Sequence, residues 1–133
     1  MFRDFETAKD FAYCVRNCVI NKAIENGHVQ IELKLADEHM NPSGTIHGGF
    51  TATLINIASS AAVLASGRPT SGRSVDLSIS YQSLAKPGET IIAESTIQKT
   101  TRNLAFVNTK IYRKTDNMSI ATGQDTKTFL PVE

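Results

Sequence analysis

Cysteine is scarce in this chain of 133 residues: Cys14 and Cys18 are the two present. That excludes a disulfide framework and makes a reducing, intracellular setting the expectation, the cytoplasm first and the mitochondrion as the alternative. With no further cysteine or histidine pair beside them, the two thiols read as packing residues. Charge of one sign is also lacking. Fourteen Lys and Arg stand against thirteen Asp and Glu, a formal net charge of +1, so no broad field draws the chain to nucleic acid or acidic membranes. An anionic ligand must then be held by a local basic cluster. The three histidines, His28, His39 and His47, lack metal-ligand spacing, and no metal site is expected. There is no internal repeat and no low-complexity segment. Met1 to Tyr13 carries Asp4, Glu6 and Asp10, a pattern of neither a secretory leader nor an acid-poor transit peptide. The length suits one domain over residues 1–133, able to bury a core without disulfides or metal.

One absence is local. From Met40 to Gly67 there is no Lys, Arg, Asp or Glu. Asn41, Pro42, Gly44, Gly48, Gly49 and Asn56 make the stretch too polar for a lipid-facing span. A helix apolar on nearly every side that is not membranous is a central helix wrapped by other elements.

What is present orders the remaining elements. Phe5, Ala8, Phe11 and Ala12 predict a short amphipathic helix over Phe2 to about Val15. A weak strand follows over Asn17 to Ile24, then a turn at Asn26-Gly27. Val29, Ile31, Leu33 and Leu35 alternate with polar residues as a half-buried strand. Pro42 and Gly44 break a loop from Asp37 to Ile46. The apolar helix runs from about His47 to Ser66 and stops at Gly67-Arg68-Pro69. Four strands are expected after it: Val75 to Tyr81, Thr90 to Gln98, Leu104 to Arg113 and Ser119 to Phe129. The fold class is α+β, one long central helix wrapped by a curved antiparallel sheet of five to six strands.

The chemistry gathers at the start of that helix. First-turn N–H groups have no partner within a helix, and the dipole adds partial positive charge there. His47-Gly48-Gly49 puts two residues without side chains at that point, where a ligand oxygen can approach the backbone. Such donors stabilise the oxyanion formed when a thioester carbonyl is attacked. A Gly-Gly pair also marks a tight loop-to-helix entry, and His-Gly-Gly alone leaves both readings open.

The wider context is more specific. Asn41, five intervening residues, and then His47-Gly48-Gly49-Phe50-Thr51-Ala52-Thr53-Leu54 resemble the signature of the PaaI-like hot-dog acyl-CoA thioesterases. The resemblance continues in Ser74-Val75-Asp76, Tyr81-Gln82-Ser83-Leu84-Ala85-Lys86-Pro87-Gly88 and Asn103-Leu104-Ala105-Phe106, covering about Asp37 to Thr128 in register. It implies the hot-dog fold and hydrolysis of fatty acyl-CoA. The Gly48 N–H and the Asn41 side chain would hold the thioester carbonyl beside His47, and Ser74 would help position a water. CoA contacts would fall around Tyr81 to Lys86, Lys99 to Leu104 and near Thr128, with Lys86, Lys99, Arg102 and Asn103 among them. CoA enters as part of the substrate, and no cofactor is called for.

The sequence departs from that family at one site residue: Asn56 stands where the family carries the Asp that activates water. An amide orients a water but cannot take its proton. An acyl-CoA-binding relative with weakened catalysis is therefore the alternative. Asp76 and His47 are the replacement bases to consider. Strand parity puts Asp76 on the face of Ser74, although a solvated strand residue is the plainer reading. A hydratase of this fold would pair a carboxylate with a histidine in the site, and no such motif is found.

Helix geometry adds a constraint. His47 and Asn56 are nine positions apart, which places them on opposite sides of a helix and about 13 Å apart along it. If both serve one site, the second comes from another subunit. A homodimer with two equivalent interface sites is expected, and the resemblance implies that such dimers pair into tetramers.

Overall fold

The computed structural model describes residues 10–24 and 27–131. Six antiparallel strands form one sheet: β1 (Val19–Ile24), β2 (His28–Lys34), β3 (Arg73–Tyr81), β4 (Thr90–Thr100), β5 (Leu104–Arg113) and β6 (Ser119–Thr128), in the spatial order β1-β2-β4-β5-β6-β3. One helix, α1 (Gly48–Ala65), lies across β2, β4, β5 and β6. Each element falls where the hydropathy pattern puts it, to within a few residues. The expected N-terminal helix is, in its described part, a 3-10 turn at Phe11–Val15, capped by the Asp10 carboxylate accepting from the Ala12 N–H at 3.0 Å. Phe5, Ala8 and Asn26 lie outside the described residues.

The inner face of the sheet explains how the helix sits so close. Val29, Ile31 and Leu33 are buried and pair with Ser95, Ala93 and Ile91. These lead across to Thr109 and Ile111, and then to Gly123 and Ala121. The row Val29-Ser95-Thr109-Gly123 narrows towards β6, and its two hydroxyls satisfy each other at 2.6 Å. Ile55, fully buried, fills the space over Gly123. A Cβ on Gly123 would stand 2.9 Å from two Ile55 carbons. Gly123→Ala is therefore expected to cost about 1–3 kcal/mol by overpacking. Ile55→Val in the same chain should return part of it, read from urea denaturation midpoints.

The sheet wraps the helix as expected, from one side. The sheet-facing side of α1 is buried through Leu54, Ile55, Ala58, Ser59 and Ala62, but the opposite side is open. There, Ala52, Asn56, Ile57, Ser60 and Leu64 line a groove of about 660 Å³. One sheet can cover only one side of one helix. By length and composition α1 would also pass for a membrane span, yet half of it is packed into this core. β3, an edge strand, shares the openness: Val75 is 60% and Tyr81 58% exposed, where alternation had implied half-burial.

A correction concerns register. Ser74 pairs with Lys127 but Asp76 with Thr126, so Val75 is an extra residue in β3. The bulge flips the parity that a regular strand would keep. Ser74 lies on the helix-facing side with Lys127, and Asp76 lies on the outer side with Thr126. The two do not share a face.

Candidate active site

The start of α1 is held by a loop that uses its own polar side chains. The Asn41 carbonyl oxygen accepts from the Ser43 N–H at 3.0 Å and the Thr45 N–H at 3.2 Å. It also accepts from the Ser43 hydroxyl at 2.6 Å. One Asn41 amide hydrogen goes to Thr45 Oγ1 at 3.0 Å. His47 is the N-cap, with φ −70° and ψ 130°. Its Nδ1 accepts from the Gly49 N–H at 2.9 Å. The N–H of Gly48, at the first helical position, has no partner within the helix. Tyr81 closes this end by donating its hydroxyl to the Gly48 carbonyl at 3.0 Å. Lys86, exposed, sits on the adjoining loop, where the Ala85 carbonyl accepts from the Ile46 N–H.

A second polar group lies two and a half turns along the helix. Asn56 donates from Nδ2 to Ser74 Oγ at 2.9 Å. Ser74 donates to Asp125 Oδ2 at 3.1 Å and accepts from Lys127 Nζ at 3.0 Å. Ser59 donates to the same Asp125 oxygen at 2.6 Å, and Lys127 also donates to Ser60 Oγ at 3.0 Å. The Asp125 and Lys127 side chains, 3.2 Å apart, are 0% and 2% exposed. Burial pushes the Lys127 ammonium down from its usual range, and Asp125 opposes that shift without cancelling it. Asp125 Oδ1 is buried with no hydrogen-bond partner among the described residues.

Neither Asp125 nor Lys127 was among the residues expected from the sequence. The signal was there: both share parity with Gly123 in β6, so two opposite charges sit on the core-facing side of a strand. Asp76 and His47, considered as bases, are not in this cluster.

The residues expected to contact CoA fall into two groups. Tyr81 and Lys86 accompany the helix start. Lys99, Arg102, Asn103 and Thr128 lie at the other end of the sheet, where Leu104 pairs with Thr128 and the Phe129 N–H donates to the Asn103 carbonyl. β4 separates Lys86 from Lys99 by roughly 30 Å of strand. Arg68, just past α1, braces the far turn. It donates to Thr100 Oγ1 at 2.6 Å and to the carbonyls of Thr101 and Arg102, with its guanidinium stacked 3.9 Å above the Phe129 ring. Asn41, His47, Gly48, Tyr81 and Lys86 thus lie around the start of α1. Asn56 and Ser74 gather further along, towards Arg102 and Thr128.

Residues 43–120 match the family model described as "Thioesterase superfamily". The chain belongs to the thioesterase superfamily. Within it, acyl-coenzyme A thioesterase 13 of Homo sapiens is 42% identical over 101 residues, 76% of this chain and 72% of that protein. The crystal structure of zebra fish thioesterase superfamily member 2 superposes with a TM-score of 0.90 at 33% identity, covering 95% of this chain and 91% of that one. The Mus musculus thioesterase superfamily member 2 gives 0.84 at 34% identity, over 90% and 87%. The single helix on an antiparallel sheet is the hot-dog fold of these superfamily members, as the sequence resemblance implied.

Proposed function

We propose that this chain hydrolyses fatty acyl-CoA thioesters to free fatty acid and CoA, in sites each built from two subunits. One observation carries the reading. The start of α1 and the bonded pair Asn56–Ser74 stand about 13 Å apart along one helix, too far to meet on one thioester. The Gly48 N–H, with Asn41, holds the carbonyl, and His47 shapes the turn that presents it. Asn56 and Ser74 of the other subunit hold the attacking water. A two-fold axis beside the open side of α1 and the edge of β3 that is unpaired among the described residues joins these halves in both sites at once. It also covers the exposed Val75 and Tyr81, which a monomer would leave in water. The same axis brings Lys86 of one subunit towards Lys99, Arg102, Asn103 and Thr128 of the other, to flank the CoA phosphates. The apolar groove takes the acyl chain. Dimers then pair into tetramers, and two free thiols suit a reducing interior, the cytoplasm.

The human relative's name supports acyl-CoA as the substrate class. Release of CoA thiol from medium- and long-chain acyl-CoA tests the reading, with sedimentation at the same protein concentration. Turnover by a dimer or tetramer is expected. Tight acyl-CoA binding without turnover would replace it with the binding role that Asn56, an amide with no proton-accepting power, favours. A monomer that turns over substrate would remove the shared site.

A further inference from the structure

Water attack on a thioester needs a group to receive the water's proton. The half-buried amide Asn56 lines the groove and bonds the exposed hydroxyl of Ser74. Neither holds an additional proton at neutral pH. Directly behind Ser74, and bonded to it, is the Asp125 carboxylate.

We propose that Asp125 is the terminal proton acceptor of this site, reached through the Ser74 hydroxyl; the proposal rests on the thioesterase reading above. The hydrogen bonds set the direction of the relay. Ser74 points its single hydrogen at Asp125 Oδ2, and its lone pairs take Lys127 from behind and Asn56 from the groove side. A water that takes over the Asn56 position donates to Ser74 while the amide holds it from the other side. As the water oxygen bonds to the thioester carbon, its proton passes to Ser74 Oγ and the Ser74 proton passes to Asp125 Oδ2. The carbonyl π pair moves to oxygen. Collapse of that oxyanion breaks the C–S bond, the pair leaves on sulfur, and the proton returns from Asp125 through Ser74 to give the CoA thiol and the carboxylic acid. The balance needs only water and the thioester.

The surroundings fit a carboxylate kept for this task. Ser59 and Lys127 fix Oδ2 in place. Oδ1 is buried without a partner among the described residues, a costly arrangement that native interiors seldom keep. Among the described residues Lys127 is the charged group paired with Asp125. From α1 it meets the Ser59 hydroxyl, and its pairing neighbours are Val107 on β5 and Leu77 on β3. Asp10 also lines the groove, but its carboxylate caps the Phe11–Val15 turn. Because Asp125 acts through Ser74, its test needs a readout that mere support of the fold would not move.

Six proteins are compared by thiol release across pH: wild type, Asp125→Asn, Asp125→Asn with Lys127→Met, Asp125→Asn with Asn56→Asp, Asn56→Asp alone, and Asp10→Asn. The Lys127→Met partner removes the stranded ammonium, so a folded protein without the carboxylate is available. Both chains lacking the carboxylate should lose on the order of 10²–10⁴-fold in kcat with KM little changed. The fall of kcat/KM on the acid side of the wild-type profile should vanish with it. Asn56→Asp puts a carboxylate beside the same hydroxyl and should restore at least about tenfold, with the acid limb. A folded Asp125→Asn that keeps its rate and its acid limb overturns the proposal. So does loss on Asp10→Asn in its place. Turnover by Asn56→Asp alone but not by wild type overturns Asp125 and leaves the thioesterase reading standing. No turnover by either removes both.

Discussion

Gly48→Pro is expected to fold normally and to lose on the order of 10²–10³-fold in kcat, the usual loss for one oxyanion donor. Proline at the first helical position gives up an N–H that the helix does not use, and its fixed φ suits the site. The residue before it must be extended, and His47 already is, with ψ 130°. A Cβ at position 48 would stand 3.5 Å from the Tyr81 ring, an ordinary contact. The Tyr81 hydroxyl keeps its bond to the position-48 carbonyl. The substitution thus removes one hydrogen-bond donor and little else. KM should change far less than kcat, because the interaction lost is one that strengthens as the oxyanion forms. Circular dichroism and thiol-release kinetics on the same preparation read both halves of the expectation. An unchanged kcat would mean that the carbonyl is held elsewhere.

The other large effect is on stability. Lys127→Met leaves the Asp125 carboxylate buried without its cation, and breaking a buried ion pair from one side costs about 3–5 kcal/mol. The two side chains are 2% and 0% exposed, so solvent does little to offset the loss. Ser60 and Ser74 each lose a donor as well. Adding Asp125→Asn should return most of the loss, since replacing both partners is often nearly neutral. Urea midpoints for the two single variants and the double give the coupling directly. Losses that simply add would show that the pair is not coupled across its 3.2 Å gap.

The helix was legible because Met40 to Gly67 carries no charge, and the strands were legible because their apolar residues alternate. Those patterns report which residues prefer to leave water. They do not report what covers them, so the sheet around α1 was legible but the groove left on its other side was not. Period-two reading also assumes an unbroken ladder. One extra residue at Val75 defeats it, and the shared face expected for Ser74 and Asp76 disappears. At the helix start, His47-Gly48-Gly49 was readable as a donor site because glycine and helix geometry act locally. Asp125 and Lys127 were legible only as core-facing charges and not as site residues, because their partners Ser59 and Ser74 are 66 and 51 residues from Asp125 in sequence. Only the fold joins them. Asn41 carries more turn structure than its expected role implies: its carbonyl oxygen and one amide hydrogen organise Ser43 and Thr45 before any ligand arrives.

A site shared between subunits has a consequence that no single-chain site can imitate. Gly48→Pro and Ser74→Ala each disable a different half. Mixed by unfolding and refolding together, half of the dimers contain one chain of each kind. In such a dimer one site receives both damaged halves, and the other receives both intact ones. Thiol release from acyl-CoA should then recover to about a quarter of wild type, with each variant alone far below that. A mixture no more active than the two variants measured apart would contradict the shared site.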